Sequence, residues 1–233
     1  MLFLIIKLFC KMKLMSKKYV IFLIVFLVLI FSCNKEIKEG NISQNESKRK
    51  IVSKEKPRAV SDYSNFYKEA LQYCKDNKLN QEKFILIDLG IHSGLKRFFV
   101  YDFNKNAVVK SYMVSHGCAD NRWGGTESKE NPVISNEFDS HCSSTGKYVI
   151  LNRGVSQWGI KVNYVLQGKD KSNSNSAKRA IVLHSWEAIS ADEVYPEGTP
   201  EGWGCPAVSN ESMKEIDEIL KQHKKVLMWI IKS

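Results

Sequence analysis

The stretch Gly202-Trp203-Gly204-Cys205-Pro206-Ala207, together with the earlier run Arg179-Ala180-Ile181-Val182-Leu183-His184, is the most informative part of this sequence. The short apolar run predicts a buried strand that holds His184 at its end. The glycine-rich turn predicts an accessible Cys205 sulfur with free backbone amides beside it. A cysteine nucleophile needs an imidazole that takes the thiol proton and amides that hold an oxyanion. The alternative is a buried structural cysteine near an unrelated histidine.

The spacing of these two residues resembles the active-site signature of the L,D-transpeptidase (YkuD-like) catalytic domains, in their murein branch. That signature is a His, a gap of this size, a Ser or Thr, a variable residue and then Gly-Cys; here Gly202 stands in place of the Ser or Thr. The likeness runs in order from about Phe84 to about Ser209. The other segments that carry it are Val114-Ser115-His116-Gly117, Ile134-Ser135-Asn136, Ser143-Ser144-Thr145-Gly146-Lys147-Tyr148 and the residues 175–184.

The resemblance implies a mainly β, sandwich-like fold with a few flanking helices and a cleft. It also implies a peptidoglycan L,D-transpeptidase or L,D-carboxypeptidase that forms a cysteine acyl-enzyme on stem tetrapeptides and needs no cofactor. Cys205 is then the nucleophile and His184 the base, Ser185 orients the imidazole through its carbonyl, and the amides at Gly204 and Cys205 form the oxyanion hole. A thiolate made by His184 and stabilised by these amides is expected to titrate below the pKa of about 8.5 of a free cysteine. The candidate substrate-binding residues are His116, Gly117, Ser144, Gly146, Arg179 and Trp203.

Each of these candidates also has a structural interpretation. His116 can close a turn with the glycine that follows it, and Ser144 and Gly146 can belong to the loop architecture. Arg179 can bind a structural acid such as Asp88 instead of a substrate carboxylate. At the level of the whole protein, the alternative to an enzyme is a lipoprotein that binds peptidoglycan without turning it over.

The N-terminus predicts export and lipid anchoring. Lys17-Lys18 precede Tyr19–Phe31, which are thirteen almost purely apolar residues. A bilayer-spanning helix needs about 20 residues, so this run suits a signal peptide better. Ile30-Phe31-Ser32-Cys33 resembles a bacterial lipobox, which predicts cleavage before Cys33 and acylation of its sulfur. An uncleaved anchor is the alternative.

The sequence is therefore divided into a signal peptide (1–33), a polar, disordered tether (34–60) and a catalytic domain (61–233). We expect the protein in the bacterial cell envelope, facing the periplasm, on either the inner or the outer membrane. We also expect a monomer that binds peptidoglycan stem peptides.

The positive charge belongs to the leader and the tether. Of the net charge of +10, residues 1–33 supply five Lys and no acid, and residues 34–60 supply eight Lys or Arg against four Glu. The domain, 61–233, is left with +1. A nucleic-acid-binding surface is therefore not expected.

Four cysteines follow the leader: Cys74, Cys118, Cys142 and Cys205. If Cys205 is a free nucleophile, at most one disulfide remains, and the pair most readily expected is Cys118 with Cys142. A zinc site is the competing interpretation of the His and Cys residues. No pair of them has the usual spacing of zinc ligands, so we expect no metal.

Periodicity predicts a β-rich domain with two helices. Ser61-Asp62 can cap the first helix, whose apolar face includes Cys74. The apolar spacing in Ser209–His223 predicts the second helix. The predicted strands are Phe84–Leu89, Phe98–Phe103, Ala107–Val114, Lys147–Leu151, Arg179–His184 and Val226–Ile231, the first two joined as a hairpin.

Overall fold

The computed structural model describes residues 62–233, so the predicted signal peptide, Cys33 and the tether lie outside the described residues. The described part contains two α-helices, a short 3-10 helix (Lys171–Asn173) and eight strands. The α-helices and strands are α1 (Ser64–Asp76), β1 (Lys83–Asp88), β2 (Phe98–Asp102), β3 (Ala107–Tyr112), β4 (Gly146–Val155), β5 (Val162–Gly168), β6 (Val182–Ser185), β7 (Ala207–Val208), α2 (Asn210–Gln222) and β8 (Leu227–Ile231). No helix in this part is long and apolar enough to cross a membrane.

All eight strands form one mixed sheet in the order β3-β2-β1-β8-β4-β5-β6-β7. The predicted hairpin of β1 and β2 is confirmed, with Phe84 opposite Tyr101. Two pairings are parallel, β1 with β8 and β6 with β7, and the others are antiparallel. The predicted mainly β fold with a few flanking helices is therefore confirmed.

The two helices pack against different hydrophobic clusters. Ala70 and Cys74 of α1 join one cluster with residues of β1 and β8, among them Phe84 and Trp229. The α2 side chains, including Met213, belong to the larger cluster, which contains the central residues of β4, β5 and β6. Burial of one such apolar side chain contributes about 1.5–3 kcal/mol. The strand ends that carry the candidate site therefore rest on a well-packed core.

Candidate active site

Cys205 and His184 lie on the wall of one cavity, beside the end of the sheet formed by β6 and β7. The cavity has a volume of about 310 Å³, at the lower end of the range of small-molecule sites. Among residues 62–233, its lining is mostly aromatic and carries no Lys, Arg, Asp or Glu. The lining residues are Ser115, Trp123, Trp158, His184, Trp186, Gly202, Trp203, Cys205 and Ala207.

His184 is held in β6 between two neighbouring strands. It pairs with Asn163 of β5 and with Ala207 of β7. Its Nδ1 lies 3.0 Å from the carbonyl oxygen of Ser185, so Nδ1–H donates there and Nε2 keeps its lone pair. Burial lowers the pKa of His184, and the bond to the carbonyl opposes this only in part. The imidazole is therefore neutral at pH 7 and can accept a proton.

The thiol of Cys205 is held by the backbone of the segment before β6 and at its start. Its Sγ accepts a hydrogen bond from the Val182 amide at 3.4 Å and lies 3.8 Å from the Ala180 carbonyl. Burial raises the pKa of Cys205, while the Val182 amide and the positive charge of Arg179 lower it by less. The geometry favours a neutral thiol at rest, in contrast to the thiolate that the sequence predicts.

The turn before the nucleophile requires a glycine at one position and not at another. Gly204 has φ +97°, and a Cβ there would lie 2.2 Å from the Cys142 carbonyl oxygen. A Cβ on Gly202 would meet nothing closer than the His116 carbonyl oxygen at 4.0 Å. The Ser or Thr of the family signature would thus fit at Gly202. Within the described part of the chain, the amides of Gly204 and Cys205 donate no hydrogen bond, so both are free for an oxyanion.

The segment Ser115–Cys118 braces this turn from outside the sheet. Gly202 N–H donates to the His116 carbonyl at 2.8 Å, and Cys118 N–H donates to the Gly202 carbonyl at 2.7 Å. Beyond the nucleophile, Ser115 N–H donates to the Ala207 carbonyl at 2.8 Å. Cys205 is therefore fixed by backbone bonds on both of its sides.

The side chain of His116 lies in a buried network and does not line the cavity. Arg97 Nη2 donates to His116 Nδ1 at 2.7 Å, so His116 Nε2 carries the proton and donates to Ser128 Oγ at 3.0 Å. Ser128 Oγ in turn donates to Glu201 Oε1 at 3.0 Å. His116 is fully buried, which is incompatible with the predicted contact to substrate. Instead, the network holds Glu201, the residue just before the turn.

Burial also lowers the pKa of His116, and Glu201 opposes this only in part. Gly117, predicted beside it as a substrate contact, is a packing residue, because a Cβ there would lie 2.1 Å from the His141 carbonyl oxygen.

Arg179, Ser144 and Gly146 organise the loops behind the nucleophile. Arg179 donates to the carbonyls of Ser135 and Cys142 and to Ser144 Oγ. The predicted alternative partner Asp88 is elsewhere in the fold, where it accepts from the Tyr63 hydroxyl. Ser144 is buried, and Gly146 begins β4 with φ +118°. None of the three lines the cavity, so the predicted substrate contacts are not supported for them.

Trp203, by contrast, lies on the cavity wall. It is 63% exposed and stacks on the ring of His141, with 5.1 Å between centroids.

The expected disulfide is not formed. Cys118 and Cys142 are both free and buried, as is Cys74. Their segments are nevertheless neighbours, since Ala119 N–H donates to the His141 carbonyl. Within residues 62–233, no three His, Cys, Asp or Glu side chains are grouped so that they could hold a metal ion.

The tryptophans of the cavity wall and the buried network between Arg97 and Glu201 were not predicted from the sequence. Trp123 and Trp158 occur in loops and Trp186 directly follows the strand that ends with Ser185. A possible signal was the position of Trp186, two residues after the candidate base. Nothing in the local sequence places Trp123 or Trp158 beside it.

Comparison with known proteins gives one family match and several distant structural likenesses. A family model described as L,D-transpeptidase catalytic domain matches residues 57–229. A comparison with curated proteins found no match.

Three solved structures illustrate the likeness. The Bd1075 protein of Bdellovibrio bacteriovorus is 15% identical with a TM-score of 0.40, and the match covers 66% of this chain and 49% of that one. An L,D-transpeptidase from Xylanimonas cellulosilytica is 13% identical with a TM-score of 0.37, covering 68% of each chain. The helical cell shape determining protein Pgp2 from Campylobacter jejuni is 13% identical with a TM-score of 0.40, covering 73% of this chain and 56% of that one. This chain thus spans about half the length of the Bdellovibrio protein.

Proposed function

The chain belongs to the L,D-transpeptidase catalytic domain family, and we propose that it is a peptidoglycan L,D-transpeptidase that works through an acyl-enzyme on Cys205. One observation carries the proposal. Cys205 and His184 share a cavity, and the bond from His184 Nδ1 to the Ser185 carbonyl leaves Nε2 free to take a proton. The family match and the shape of the turn support the same reaction.

In the first half of the reaction, the Cys205 sulfur attacks the carbonyl of the L-residue that precedes the terminal D-amino acid of a stem tetrapeptide. The thiol proton passes to His184 Nε2 as the carbon–sulfur bond forms. The free amides of Gly204 and Cys205 can stabilise the negative oxygen. The carbon–nitrogen bond then breaks, His184 returns the proton to the departing amine, and a thioester remains.

In the second half, the amine of a neighbouring stem peptide attacks the thioester carbonyl. His184 takes the proton of that amine, the carbon–sulfur bond breaks, and Cys205 recovers its proton from His184. A new amide cross-link is the product. Replacement of the amine by water gives L,D-carboxypeptidase activity with the same residues.

The resting charges of the two groups define how the first half begins. Burial raises the pKa of Cys205 and lowers that of His184, so both are neutral at pH 7. The proton therefore moves during the attack and not before it. This differs from a preformed thiolate–imidazolium pair.

The test is acylation of the purified protein, followed by intact mass. Wild type incubated with a stem tetrapeptide or a carbapenem should gain the mass of one acyl group. Cys205→Ser should gain none, because the neutral imidazole removes a proton far less readily from a hydroxyl. Cys118→Ser is the matched control and should be acylated. An adduct on Cys205→Ser would overturn the assignment of the nucleophile.

One observation favours the second candidate, a peptidoglycan-binding protein with little turnover. The Cys205 thiol is hydrogen-bonded to Val182 and Ala180 and not to His184. If this arrangement persists with substrate, the thiol stays protonated and peptide binds without acylation. Binding of tetrapeptide by wild type with no mass gain would support this candidate.

We also propose that Cys33 carries a lipid that anchors the protein in the bacterial envelope. The support is the order of basic residues, apolar run and Ser32-Cys33 in the sequence. A polar segment of the length of 34–60 would let the domain reach peptidoglycan from the membrane surface.

A further inference from the structure

We propose that the tryptophan-lined side of the cavity is the acceptor subsite, which binds the alkyl chain and terminal amine of the incoming primary amine. This tryptophan subsite consists of Trp123, Trp158 and Trp186. The inference rests on the proposed function and assigns these residues to the choice between amine and water in the second half of the reaction.

The three rings form one assembly. Trp186 is buried, and Trp123 stacks on it with 4.9 Å between centroids and 26° between ring planes. Trp158 meets Trp186 edge-on at 6.3 Å and lies 6.1 Å from Trp123. Trp123 and Trp158 are 44% and 43% exposed, so parts of both rings remain open to an incoming group.

Each ring is attached to the backbone that holds the catalytic residues. Trp186 is two residues after His184, and its N–H donates to the Val208 carbonyl at 2.9 Å. The loop that carries Trp158 is fixed by Ile160 N–H, which donates to Ser185 Oγ at 2.9 Å. The rings are thus positioned before substrate binds, and little side-chain entropy is lost on binding.

The loop that carries Trp123 is fixed to Glu201, the residue that precedes the nucleophile turn. Gly124 N–H donates to the Glu201 carbonyl at 2.9 Å, and Glu201 N–H donates to the Gly125 carbonyl at 2.8 Å. The same loop packs Trp123 against Trp186. Backbone hydrogen bonds therefore connect the loop of Trp123 directly to the nucleophile turn.

The chemistry of the walls suits an alkylammonium group better than a carboxylate. In the part of the chain that the structure describes, no Lys or Arg lines the cavity to bind an anion, and no Asp or Glu lines it to hold a cation in a salt bridge. Indole faces attract ammonium groups, and their apolar surface covers a methylene chain. An apolar site also lowers the pKa of a bound amine, which increases the neutral, nucleophilic form.

The tryptophan subsite also disfavours hydrolysis of the acyl-enzyme. Apolar walls beside Cys205 exclude solvent from the thioester and slow hydrolysis. The bound ammonium first gives up one proton to solvent, and the neutral amine attacks the thioester carbonyl with its lone pair. A second proton passes to His184 Nε2, the carbon–sulfur bond breaks to give an amide, and Cys205 recovers this proton from His184. No oxidant, reductant or further reactant is required.

The experiment measures how the acyl-enzyme is divided between two products. Protein, stem tetrapeptide and Nα-acetyl-lysine, a primary amine on an alkyl chain, are mixed, and the amide and acid products are counted by mass spectrometry. Glycinamide, an amine without the chain, is the comparison probe. Wild type should give a higher amide-to-acid ratio with Nα-acetyl-lysine. Trp123→Leu and Trp158→Leu should each lower that ratio about fivefold or more.

Two controls separate this role from a general packing role. Trp158→Phe keeps an aromatic face and should retain most of the ratio. Phe138→Leu removes an aromatic ring that is 57% exposed outside the cavity and should leave the ratio as in wild type. Because the ratio compares two fates of one acyl-enzyme, it does not depend on how fast that species forms.

The outcomes distinguish this inference from the proposed function. Absence of any acyl-enzyme in wild type overturns both. An acyl-enzyme whose amide-to-acid ratio is unchanged in both Leu variants overturns the acceptor subsite alone. The acceptor subsite alone is also overturned if the ratio falls equally for Nα-acetyl-lysine and glycinamide. In that case the alkyl chain of Nα-acetyl-lysine does not bind to the indole rings.

Discussion

At the scale of single residues, burial determines the charge of both reacting groups. The sequence places a cysteine beside glycine and a histidine at a strand end, and this pattern is sufficient to select Cys205 and His184 as candidates. It does not reveal how much of the protein surrounds the half-buried Cys205 side chain, and so it predicts a lowered pKa. The three-dimensional surroundings reverse that expectation.

The first prediction concerns the pH dependence of Cys205 alkylation by iodoacetamide. Because burial raises its pKa, the thiolate should develop above the usual value of about 8.5, and the rate should still be rising at pH 9. Peptide mass spectrometry gives the rate at each cysteine. Cys74 is the internal reference, since burial raises its pKa to about 12 and it should react only on unfolding. A rate that is already constant below pH 7 would indicate a preformed ion pair instead.

The second prediction concerns the general base. His184→Ala should lower the rate of acylation by a stem tetrapeptide about 10²-fold at pH 7, because no other described residue on the cavity wall can take the thiol proton. The defect should shrink as pH rises, since hydroxide then supplies the thiolate. Acylation rates at pH 7 and pH 10 provide the comparison. An equal defect at both values would point to a structural role for the imidazole.

The third prediction uses two glycines of the nucleophile turn as a matched pair. Gly204→Ala adds a Cβ at φ +97° and 2.2 Å from a carbonyl oxygen, so the turn must shift and acylation should fall at least tenfold. Gly202→Ser introduces a side chain into open space and should leave the melting temperature within a few degrees. If the two variants behave alike, the turn does not have the geometry described above.

At the scale of elements, the sequence predicted most of the sheet. Six strands and both helices were expected near their observed positions, because their apolar runs are compact and bounded by turn residues. β5 was not among the predicted strands, although its buried Val162, Tyr164 and Leu166 alternate with more exposed residues and Gly168 stands at its end, a pattern that indicates a strand. β7 has only two residues and exists through its pairing with β6. Such pairing depends on distant parts of the chain and not on local pattern.

The candidate site was predicted less completely, for a similar reason. Motif spacing identifies the reacting pair and the carbonyl of Ser185, which are close in sequence. His116 belongs to a motif as well, yet its role depends on Arg97 and Glu201, which are far from it along the chain. A motif indicates that a residue matters without indicating whether it contacts substrate or supports the backbone.

The fourth prediction concerns the contact of α2 with the sheet. Burial alone would raise the pKa of Asp217, but hydrogen bonds from Arg153, Tyr164 and Lys221 lower it to about 2. Its stabilising contribution is therefore complete above the ordinary value of 3.8 and is lost as pH falls through about 2.

Asp217→Asn should reduce the free energy of unfolding at pH 7 by about 1–2 kcal/mol. The difference from wild type should nearly disappear around pH 2. Urea unfolding at both pH values tests this, with Glu211→Gln on the same helix as an exposed control. A difference that is independent of pH would mean that the charge of Asp217 is not the source of the stability.

At the scale of the whole molecule, the expected lipid anchor leads to the fifth prediction. Cys33→Ala should abolish labelling by a fatty-acid analogue and release the domain from membranes or leave the precursor uncut. Fractionation and intact mass of wild type and variant give the result, with Cys10→Ala as the control for a leader cysteine outside the lipobox. Mature wild-type protein found free of lipid would contradict the anchor.

The place of β8 in the sheet has a consequence for biosynthesis. β8 lies between β1 and β4, and so it joins the strands β1–β3 to the strands β4–β7. Until residues 227–231 have left the ribosome, the nascent chain lacks the central strand and cannot complete either core cluster, since both contain β8 side chains. A chain that lacks β8 cannot complete this fold during synthesis. If the N-terminus directs export as the sequence predicts, the strand order keeps the fold incomplete while an export channel for unfolded polypeptides can still accept the chain.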